Sequence, residues 1–345
     1  MTGPPAGEAV TGPPAGDGPV GVGVIGASSW VAGQAVLPAL VASPNVRVVA
    51  VGSRDSRAAA DVAARFGAPH HFTGYEAVIT HPDVEAVYVP LPNGLHLEWA
   101  QRAAAAGKHV LCEKPLAPTA AEGRAMVAAC EAAGVVLMEA YMTPFHPRTE
   151  AVADLLARGG LGRPRFARAA FTFPLTDDAN YRWFPEQGGG ALLDVGVYCV
   201  APLVDIGGEP ATIAAGAVTA ASGVDATFSG WLGFADGFSG AFICSFEAPE
   251  YQHLEVVGTL ATLAVDVPFA GAASDTRARL HHRDGRVEVV EAPDGDPYLA
   301  MVEHFAAVVR GRATLRRPPQ EAVRLLGVID RLRAAAAVGH PVRAA

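Results

Sequence analysis

Short apolar runs alternate with helical segments between residues 20 and 140, and no other feature of the sequence constrains the fold as much. Runs such as Val20–Ile25, Val46–Val51 and Ala86–Val89 are largely apolar, and the helical segment Ser56–Phe66 follows the second of them. Strands that are apolar on both faces and joined by helices form parallel sheets covered on both sides. Residues 20–140 are therefore predicted to fold as a doubly wound Rossmann domain, the type that binds dinucleotides.

In the second half of the chain, apolar and polar residues alternate, as in Arg165–Phe173 and Gly240–Phe246. Such alternation is typical of antiparallel strands with one face in water. Two helical segments, Tyr298–Val309 and Pro319–Ala337, close the chain. Residues 141–345 are predicted to form an α+β domain for substrate binding and oligomerisation, with a large open, mostly antiparallel sheet. The open sheet predicts a homodimer or homotetramer, and the final helices are expected to pack back on the Rossmann domain.

Charge and composition exclude several classes of partner. The net charge is −9, the pI is about 5.6 and no basic run occurs, so nucleic acid is not an expected partner, because phosphates need a positive surface. No apolar stretch of about 18 residues occurs, so no membrane span is expected. Cys112, Cys130, Cys199 and Cys244 have apolar neighbours and no CxxC spacing, which predicts free thiols and a cytoplasmic location. Residues 1–19 repeat Thr-Gly-Pro-Pro-Ala-Gly and are predicted to be a disordered tail.

A glycine turn follows the first predicted strand. The G-x-G-x-x-G pattern matches Gly21, Gly23 and Gly26, but the first two glycines fall inside the strand. The predicted pyrophosphate turn therefore consists of Gly26, Ala27, Ser28, Ser29 and Trp30. Small residues in such a turn let a pyrophosphate approach the backbone N–H groups at the start of a helix.

The residues after the second predicted strand indicate which dinucleotide is bound. NAD sites usually carry Asp or Glu at this position, where it accepts hydrogen bonds from the ribose. Here the sequence is Ser53-Arg54, with Arg57 close behind, and these hydroxyl and guanidinium donors suit a 2′-phosphate. NADP is therefore predicted, and NAD stays open as the alternative because Asp55 adjoins Arg54.

Two further segments carry residues suited to hydride and proton transfer. Lys114, one of only two lysines, follows a strand whose carboxyl end lies at the ligand-binding edge of such a sheet. Asp194 and Tyr198 follow the glycine run Gly188–Gly190 and share one face if the segment is helical. Loss of hydride from an alcohol carbon also requires loss of the hydroxyl proton, which Tyr198 can accept. Lys114 would stabilise the phenolate of Tyr198 and bind the substrate oxygen, and Asp194 would orient a substrate hydroxyl or Lys114.

Several motifs resemble those of the glucose–fructose oxidoreductase/inositol dehydrogenase (Gfo/Idh/MocA) family. They are Glu113-Lys114-Pro115, Pro92-Asn93-Gly94-Leu95-His96, the run from Gly188 to Tyr198, Glu139-Ala140-Tyr141-Met142 and the run from Glu255 to Ala261. The resemblance extends over residues 20–338. It implies a Rossmann domain, a C-terminal domain with an open sheet, and a nicotinamide cofactor at their junction. It also implies that Lys114, Asp194 and Tyr198 occupy catalytic positions.

The resemblance further implies which residues hold the cofactor and the substrate. Besides the turn and the Ser53, Arg54 and Arg57 positions, the expected cofactor residues are Leu91, Pro92, Asn93, His96, Glu113, Lys114 and Arg182. Tyr298 is expected to contact the substrate, and the family's Lys–Pro bond, here Lys114–Pro115, is often cis. No metal site is expected, because the nicotinamide carries the chemistry.

A sugar dehydrogenase or reductase is predicted, and two alternatives stay open. Asn180-Tyr181-Arg182 resembles the xylose dehydrogenase, anhydrofructose reductase and dihydrodiol dehydrogenase branch, which implies hydride transfer at a carbinol or carbonyl carbon of a sugar or sugar-like ring. The run from Val87 to Pro92 and His96-x-Glu98-Trp99 resemble nucleotide-ketosugar 3-reductases of deoxysugar pathways. The other alternative is a non-catalytic, cofactor-binding regulator, against which the three catalytic-type residues argue.

Overall fold

The structure of the protein is a computed structural model that describes residues 16–26, 29–269 and 277–338. Its first half contains the strands β1 (Val20–Ile25), β2 (Val46–Ser53), β3 (His70–Thr73), β4 (Ala86–Val89), β5 (His109–Glu113) and β6 (Leu137–Ala140). They form a parallel sheet in the order β3-β2-β1-β4-β5-β6. Ligands of such sheets bind beyond the carboxyl ends of the strands, where the order reverses between β1 and β4. The predicted Rossmann fold is confirmed.

Helices connect these strands. They are α1 (Leu37–Ala42), which continues from a π-helical turn at Ala32–Val36, α2 (Ser56–Phe66), α3 (Glu76–Ile79), α4 (His96–Ala105) and α5 (Ala120–Ala132). Helix α2 has its predicted bounds because local signals mark both ends: Asp55 caps its first N–H groups, and Gly67 adopts φ +69° after its last turn. Strand β3 is missing from the sequence prediction because it contains no apolar run, and it forms by pairing with β2 at the sheet edge.

An eight-stranded sheet forms the second half. Its strands are β7 (Pro164–Thr172), β8 (Pro210–Thr219), β9 (Asp225–Phe234), β10 (Ser239–Ser245), β11 (Tyr251–Gly258), β12 (Ala261–Asp266), β13 (Ala278–His282) and β14 (Val287–Val290). The order is β14-β13-β12-β11-β7-β10-β9-β8, and among these described strands the β7–β10 pair alone is parallel. The predicted open, mostly antiparallel sheet is confirmed. Strands β12 and β13 are missing from the sequence prediction because their alanines and charged residues give a weak strand signal.

One face of this sheet is covered and the other is open. The accompanying helices are α6 (Pro147–Ala157), α7 (Val197–Gly207), α8 (Pro297–Val309) and α9 (Pro319–Val338), and a π-helical turn at Leu192–Gly196 leads into α7. Helix α7 packs on β7 and β10 and covers the inner face. On the opposite face, Trp231 and Ile243 are exposed, whereas Leu232, Phe242 and Cys244 beside them in sequence are buried.

The last two helices pack against the Rossmann domain. Glu303 of α8 accepts hydrogen bonds from the side chains of Ser43 and Asn45. Asp330 of α9 accepts a hydrogen bond of 3.0 Å from the backbone N–H of Ala120. These contacts fix the position of α8, and therefore of Tyr298 at its start, relative to the parallel sheet.

The predicted tail, residues 1–19, is described only from residue 16 onward. The carbonyl of Gly18 accepts a hydrogen bond of 2.9 Å from Arg310, and that of Asp17 accepts one of 3.4 Å from Arg312. Two arginines after α8 thus contact the backbone of Asp17 and Gly18. The expectation of a disordered tail falls mainly on residues 1–15, which lie outside the described residues, and it stays a prediction.

One described helical stretch, Pro185–Gly207, is long and apolar enough to span a membrane by length and composition. It carries Asp194 and Tyr198, and 78% of its apolar window is buried inside the protein. A buried core helix meets the same criteria, so this stretch is weak evidence for membrane insertion.

Candidate active site

Lys114 follows β5 at the ligand-binding edge of the parallel sheet, and its peptide bond to Pro115 is cis. The side chain is 13% exposed. Its ammonium nitrogen Nζ lies 2.7 Å from the backbone oxygen of Asp194 and 3.1 Å from Oδ1 of the same residue. One side chain therefore connects the end of β5 to the turn that leads into α7.

Asp194 is shared between two cations. Arg182 donates from Nε to Oδ2 at 2.6 Å and from Nη2 to Oδ1 at 3.1 Å, while Lys114 donates to Oδ1. Burial alone would raise the pKa of Asp194, but the charges and hydrogen bonds of Arg182 and Lys114 hold it well below its usual range. Asp194 is therefore a permanent carboxylate. Arg182 directs two of its donors to Asp194, and its expected role at the cofactor stays a prediction.

The backbone at Asp194 differs from the regular α-helix that the sequence predicts. Leu192–Gly196 forms a π-helical turn, and the α-helix begins only at Val197. The wider turn interrupts the α-helical hydrogen-bond ladder at the residue whose carbonyl accepts from Lys114. Tyr198 reaches the same lysine, since Nζ lies 4.7 Å from the centre of its ring. Lys114, Asp194 and Tyr198 are thus brought together, although not by simple four-residue helical spacing.

Tyr198 is buried, with its ring beneath the ammonium of Lys114. Its hydroxyl donates to Sδ of Met142 at 3.7 Å, and sulfur is a weak acceptor. Burial raises the pKa of Tyr198 well above its ordinary value. Stabilisation of a Tyr198 phenolate by Lys114 therefore stays a prediction. The ammonium lies over the face of the ring, where it attracts the π electrons rather than the hydroxyl oxygen.

Glu113 is buried beside Lys114. The hydroxyl of Tyr88 donates to Oε1 at 2.7 Å, and the backbone N–H of Lys114 donates to Oε2 at 3.2 Å. Burial raises the pKa of Glu113 to about 7. Tyr298, the predicted substrate residue, lies close enough that the charge of Glu113 adds to the effect of burial in raising the pKa of Tyr298.

His96 and Asn93 hold backbone segments in place. The imidazole Nδ1 lies 3.0 Å from the carbonyl of Pro115, Nε2 lies 2.8 Å from that of Leu91, and the ring is fully buried. Asn93 donates from Nδ2 to the carbonyl of Gly188 at 2.8 Å. His96 therefore lies between two backbone carbonyls, and its expected place beside the cofactor stays a prediction. Within residues 16–26, 29–269 and 277–338, no group of His, Cys, Asp or Glu is arranged to hold a metal ion.

The glycine turn lies where β1 ends. Gly26 adopts φ +79°, and a Cβ added there would lie 2.5 Å from Cδ2 of Leu91, so glycine is required. Leu91 is buried and Pro92 is partly buried at the same edge of the sheet. Gly21 and Gly23 lie within β1, as the sequence predicts.

The remaining residues of the predicted pyrophosphate turn are only partly described. Ala27 and Ser28 lie outside the described residues. The backbone N–H of Ser29 donates to the carbonyl of Gly26 at 3.0 Å, which closes the turn. Trp30 begins the following helix and is 77% exposed, so its indole is free to meet a ligand.

Ser53 and Arg54 stand at the end of β2. Ser53 is buried, and its hydroxyl accepts a hydrogen bond of 3.2 Å from the backbone N–H of Asp55. Arg54 is exposed and hydrogen-bonds Tyr75, whose pKa burial raises and Arg54 lowers. The carboxylate of Asp55 caps the N–H groups at the start of α2, where Arg57 lies exposed. The one nearby carboxylate is therefore occupied by the helix.

Both halves of the chain match known protein families. The oxidoreductase family with an NAD-binding Rossmann fold, Gfo/Idh/MocA, matches residues 20–141, and the Gfo/Idh/MocA C-terminal domain matches residues 149–264. The chain belongs to the Gfo/Idh/MocA family. The family predicted from the motifs is therefore confirmed.

Two curated Gfo/Idh/MocA relatives extend over nearly the whole chain. A D-xylose 1-dehydrogenase (NADP(+)) from Haloferax volcanii is 37% identical over 311 residues, which cover 90% of this chain and 95% of the relative. A dTDP-3,4-didehydro-2,6-dideoxy-α-D-glucose 3-reductase from Streptomyces antibioticus is 34% identical over 320 residues, which cover 92% and 97%. One relative is named for a free sugar and the other for a nucleotide sugar.

Solved structures in the comparison share both domains. A 3-ketoreductase from Actinomadura kijaniata, in complex with NADP and TDP-benzene, has a TM-score of 0.87 at 32% identity and covers 92% of this chain and 98% of its own. An aldose–aldose oxidoreductase from Caulobacter crescentus, with glycerol, has a TM-score of 0.85 at 26% identity and covers 93% and 98%. The arrangement of the two sheets in this chain is therefore that of the family.

Three rings that the sequence did not predict as site residues, those of Tyr141, Phe171 and Phe269, form an aromatic wall around Tyr198. Their ring centres lie 5.4, 5.6 and 5.8 Å from that of Tyr198. Tyr141 lies in one of the family motifs, which is a signal for it. Phe171 on β7 and Phe269 after β12 are distant in sequence, and only the register of the sheet brings them together.

Proposed function

We propose that the protein is an NADP-preferring oxidoreductase that moves a hydride to or from a carbon of a sugar or sugar-like ring. The observation that carries this proposal is the contact of Lys114 with both Asp194 and Tyr198 at the carboxyl edge of the parallel sheet. Relatives named for xylose and for a dTDP-ketosugar support the substrate class.

Lys114 binds the reacting oxygen in this proposal. An ammonium group has three N–H donors, and Asp194 takes two of those of Lys114. The third is left for a carbonyl or alkoxide oxygen, whose developing negative charge it would stabilise. Asp194, itself fixed by Arg182, holds the ammonium in position during the reaction.

Tyr198 exchanges the proton with the substrate oxygen, while the bound nicotinamide supplies or accepts the hydride. Because burial keeps Tyr198 a neutral phenol, its hydroxyl can donate a proton when a carbonyl is reduced. In the oxidative direction Tyr198 must first lose its own proton, so that the phenolate can accept the proton of the substrate hydroxyl, and the charge of Lys114 over the ring would favour that phenolate. The weak contact with Met142 leaves the hydroxyl available to a stronger acceptor on the substrate.

The residues present fit NADP. Gly26 packs so closely against Leu91 that no side chain fits, and this tight, side-chain-free turn suits the close approach of a pyrophosphate. Arg54 and Arg57 would hold the 2′-phosphate, with Ser53 beside them. Since the carboxylate of Asp55 accepts hydrogen bonds from the start of α2, it is not directed to a ribose hydroxyl as in NAD sites, and this favours NADP over the NAD alternative. Tyr298 and the aromatic wall would line the substrate side.

A panel of substrates tests the proposal and separates the alternatives. NADP absorbance is followed with D-xylose and D-glucose, and NADPH absorbance with 1,5-anhydrofructose and a dTDP-3-ketosugar. Turnover of a free sugar supports the main proposal, and turnover of the dTDP-ketosugar alone supports a nucleotide-ketosugar 3-reductase. Tight NADP binding without hydride transfer to any of them contradicts the proposal and favours a regulator.

A second copy of this chain is proposed to cover the open face of the sheet, giving a homodimer or homotetramer. Phe166, Trp231 and Ile243 lie on the neighbouring strands β7, β9 and β10 and are each at least 40% exposed. Apolar patches of this kind mark interaction sites. Light scattering of the wild type should give a mass that is a multiple of the chain mass, and Trp231→Lys should lower that mass. A monomeric wild type would contradict this proposal.

We also propose a cytoplasmic location, because four buried free cysteines fit a reducing compartment.

A further inference from the structure

A cavity of about 590 Å³ lies behind the aromatic wall. Helices α6 and α7 and the loop between α8 and α9 enclose it, together with the inner face of the sheet. Leu254 and Val265, which pair across β11 and β12, line its sheet side. Tyr141 and Phe269 line it too, and these rings also contact Tyr198. One layer of side chains therefore separates the cavity from the proposed catalytic tyrosine.

Arg317 brings an unsatisfied donor to this cavity. Its side chain is 12% exposed, and its guanidinium carbon lies 5.3 Å from the centre of the Tyr141 ring. Nη1 donates to Asp205 over a long 3.4 Å, and the carboxylate of Glu321 lies 3.9 Å from Nε. Among the described residues, the buried Nε has no hydrogen-bond partner. A buried donor without an acceptor is costly, so a ligand oxygen that reached this guanidinium would stabilise it.

The charges of the lining indicate the class of ligand. Three arginines and four carboxylates line the cavity: Arg148, Arg316, Arg317, Glu150, Asp154, Asp205 and Glu321. The lining therefore has no excess of positive charge to attract a phosphate or a nucleotide. Sugar hydroxyls can both donate to carboxylates and accept from guanidinium groups. The volume falls within the range of about 300–1,000 Å³ that is typical of small-molecule sites.

We propose that this cavity binds a neutral, polyhydroxylated ring such as a free hexose or pentose, at a site separate from the catalytic cleft. Lys114, Asp194 and Tyr198 do not line it. The ligand class follows from the lining itself, so the proposal does not require the catalytic function to be correct. A sugar there would press on Tyr141 and Phe269, and through them on Tyr198.

Two matched variants test this site. Ala153 lies on α6, is exposed and lines the cavity, so Ala153→Trp should fill the space without disturbing the core. Ala157→Trp is the control, because Ala157 is exposed on the same helix and does not line the cavity. Thermal unfolding and circular dichroism establish that both variants fold.

Binding is measured by equilibrium dialysis of radiolabelled D-glucose against the full-length protein saturated with NADPH, which cannot oxidise the sugar. Wild type and Ala157→Trp should each bind one more equivalent of D-glucose than Ala153→Trp. Equal binding by all three proteins overturns the proposal. Any glucose that Ala153→Trp still binds belongs to the cleft, so failure of the cavity site and failure of the proposed function are separate outcomes.

Two further arms exclude other occupants. If labelled dTDP rather than D-glucose is lost in Ala153→Trp, the cavity is an anion site and the proposal is overturned. If Ala153→Trp changes the mass in light scattering while glucose binding is unchanged, a second copy of the chain covers the cavity, which also overturns it. An unchanged mass together with the loss of one glucose equivalent supports the proposal.

Discussion

Lys114 contacts Asp194 twice, through the side-chain oxygen Oδ1 at 3.1 Å and through the backbone oxygen at 2.7 Å. The backbone contact does not depend on the carboxylate, whereas the two hydrogen bonds from Arg182 do. Removing the carboxylate charge should therefore affect Arg182 directly and Lys114 only in part. The position of Arg182 therefore depends on the Asp194 carboxylate more strongly than the position of Lys114 does.

Asp194→Asn should lower both stability and turnover. The side chain of Asp194 is 6% exposed. Loss of its charge leaves two cations in a buried site without a counter-charge, which lowers the free energy of unfolding by about 3–5 kcal/mol. Urea unfolding gives the free energy, and Asp178→Asn, an exposed position nearby, is the control. A free energy of unfolding equal to that of wild type would show that Asp194 is not a permanent carboxylate.

Tyr198→Phe should slow hydride transfer by about 10²–10⁴-fold while the fold survives, because only the hydroxyl is lost. Lys114→Arg should also lose most turnover yet still bind NADP, since guanidinium differs from ammonium in shape and hydration. Lys108→Arg is the matched control, because Lys108 bonds backbone carbonyls away from the site. Single-turnover absorbance and NADP titration are the measurements.

The double variant of Lys114 and Tyr198 tests whether the two residues act as one unit. Residues that act together are not additive, so the double variant should be little slower than the slower single variant. Fully multiplicative losses in single-turnover rate would mean that the two residues act independently. Near-normal rates in Tyr198→Phe would exclude Tyr198 from proton transfer.

Arg54→Ala should weaken NADP binding roughly tenfold to a hundredfold and leave NAD binding nearly unchanged. A charge-assisted contact with the 2′-phosphate contributes about 1.5–3 kcal/mol, and NAD has no such phosphate. Arg65→Ala, an exposed arginine at the other end of α2, is the control. Tighter binding of NAD than of NADP by the wild type would contradict the assignment.

Glu113 should make stability depend on pH. Its pKa rises from 4.5 to about 7 on folding, so the folded state holds the proton more tightly than the unfolded state. Stability from this group is present below pH 4.5, declines as the pH rises toward 7, and stays lost above it. Relative to wild type, Glu113→Gln should gain about 2 kcal/mol of unfolding free energy between pH 5 and pH 8. The exposed Glu247→Gln should show no such gain.

The N-terminal segment should divide into two parts. Deletion of residues 1–15 should leave the thermal midpoint and NADP affinity unchanged, because the Pro/Gly-rich sequence of this segment contains few large apolar side chains. Deletion through residue 19 should lower the midpoint slightly, since it removes the carbonyls that bind Arg310 and Arg312. A large loss on deleting residues 1–15 would show that this segment contacts the folded domains.

Local signals determined the Rossmann domain. Asp55 and Gly67 mark the two ends of α2, so its bounds could be predicted without the fold. The turn at Gly26 needs a left-handed backbone conformation, which glycine adopts easily because it has no side chain. The motifs around Lys114 and Tyr198 likewise identified the family, because each motif is contiguous in sequence.

Only the tertiary structure decided how these residues meet. The π-helical turn at Asp194, the position of the Lys114 ammonium over the Tyr198 ring and the pairing of Arg182 with Asp194 join segments that no local pattern relates. The pairing register of β11 and β12 determines where β12 ends, and this places Phe269 against Tyr198. The physical reason is that secondary structure and turns follow from neighbouring residues, whereas burial, charge pairing and pKa depend on packing between distant ones.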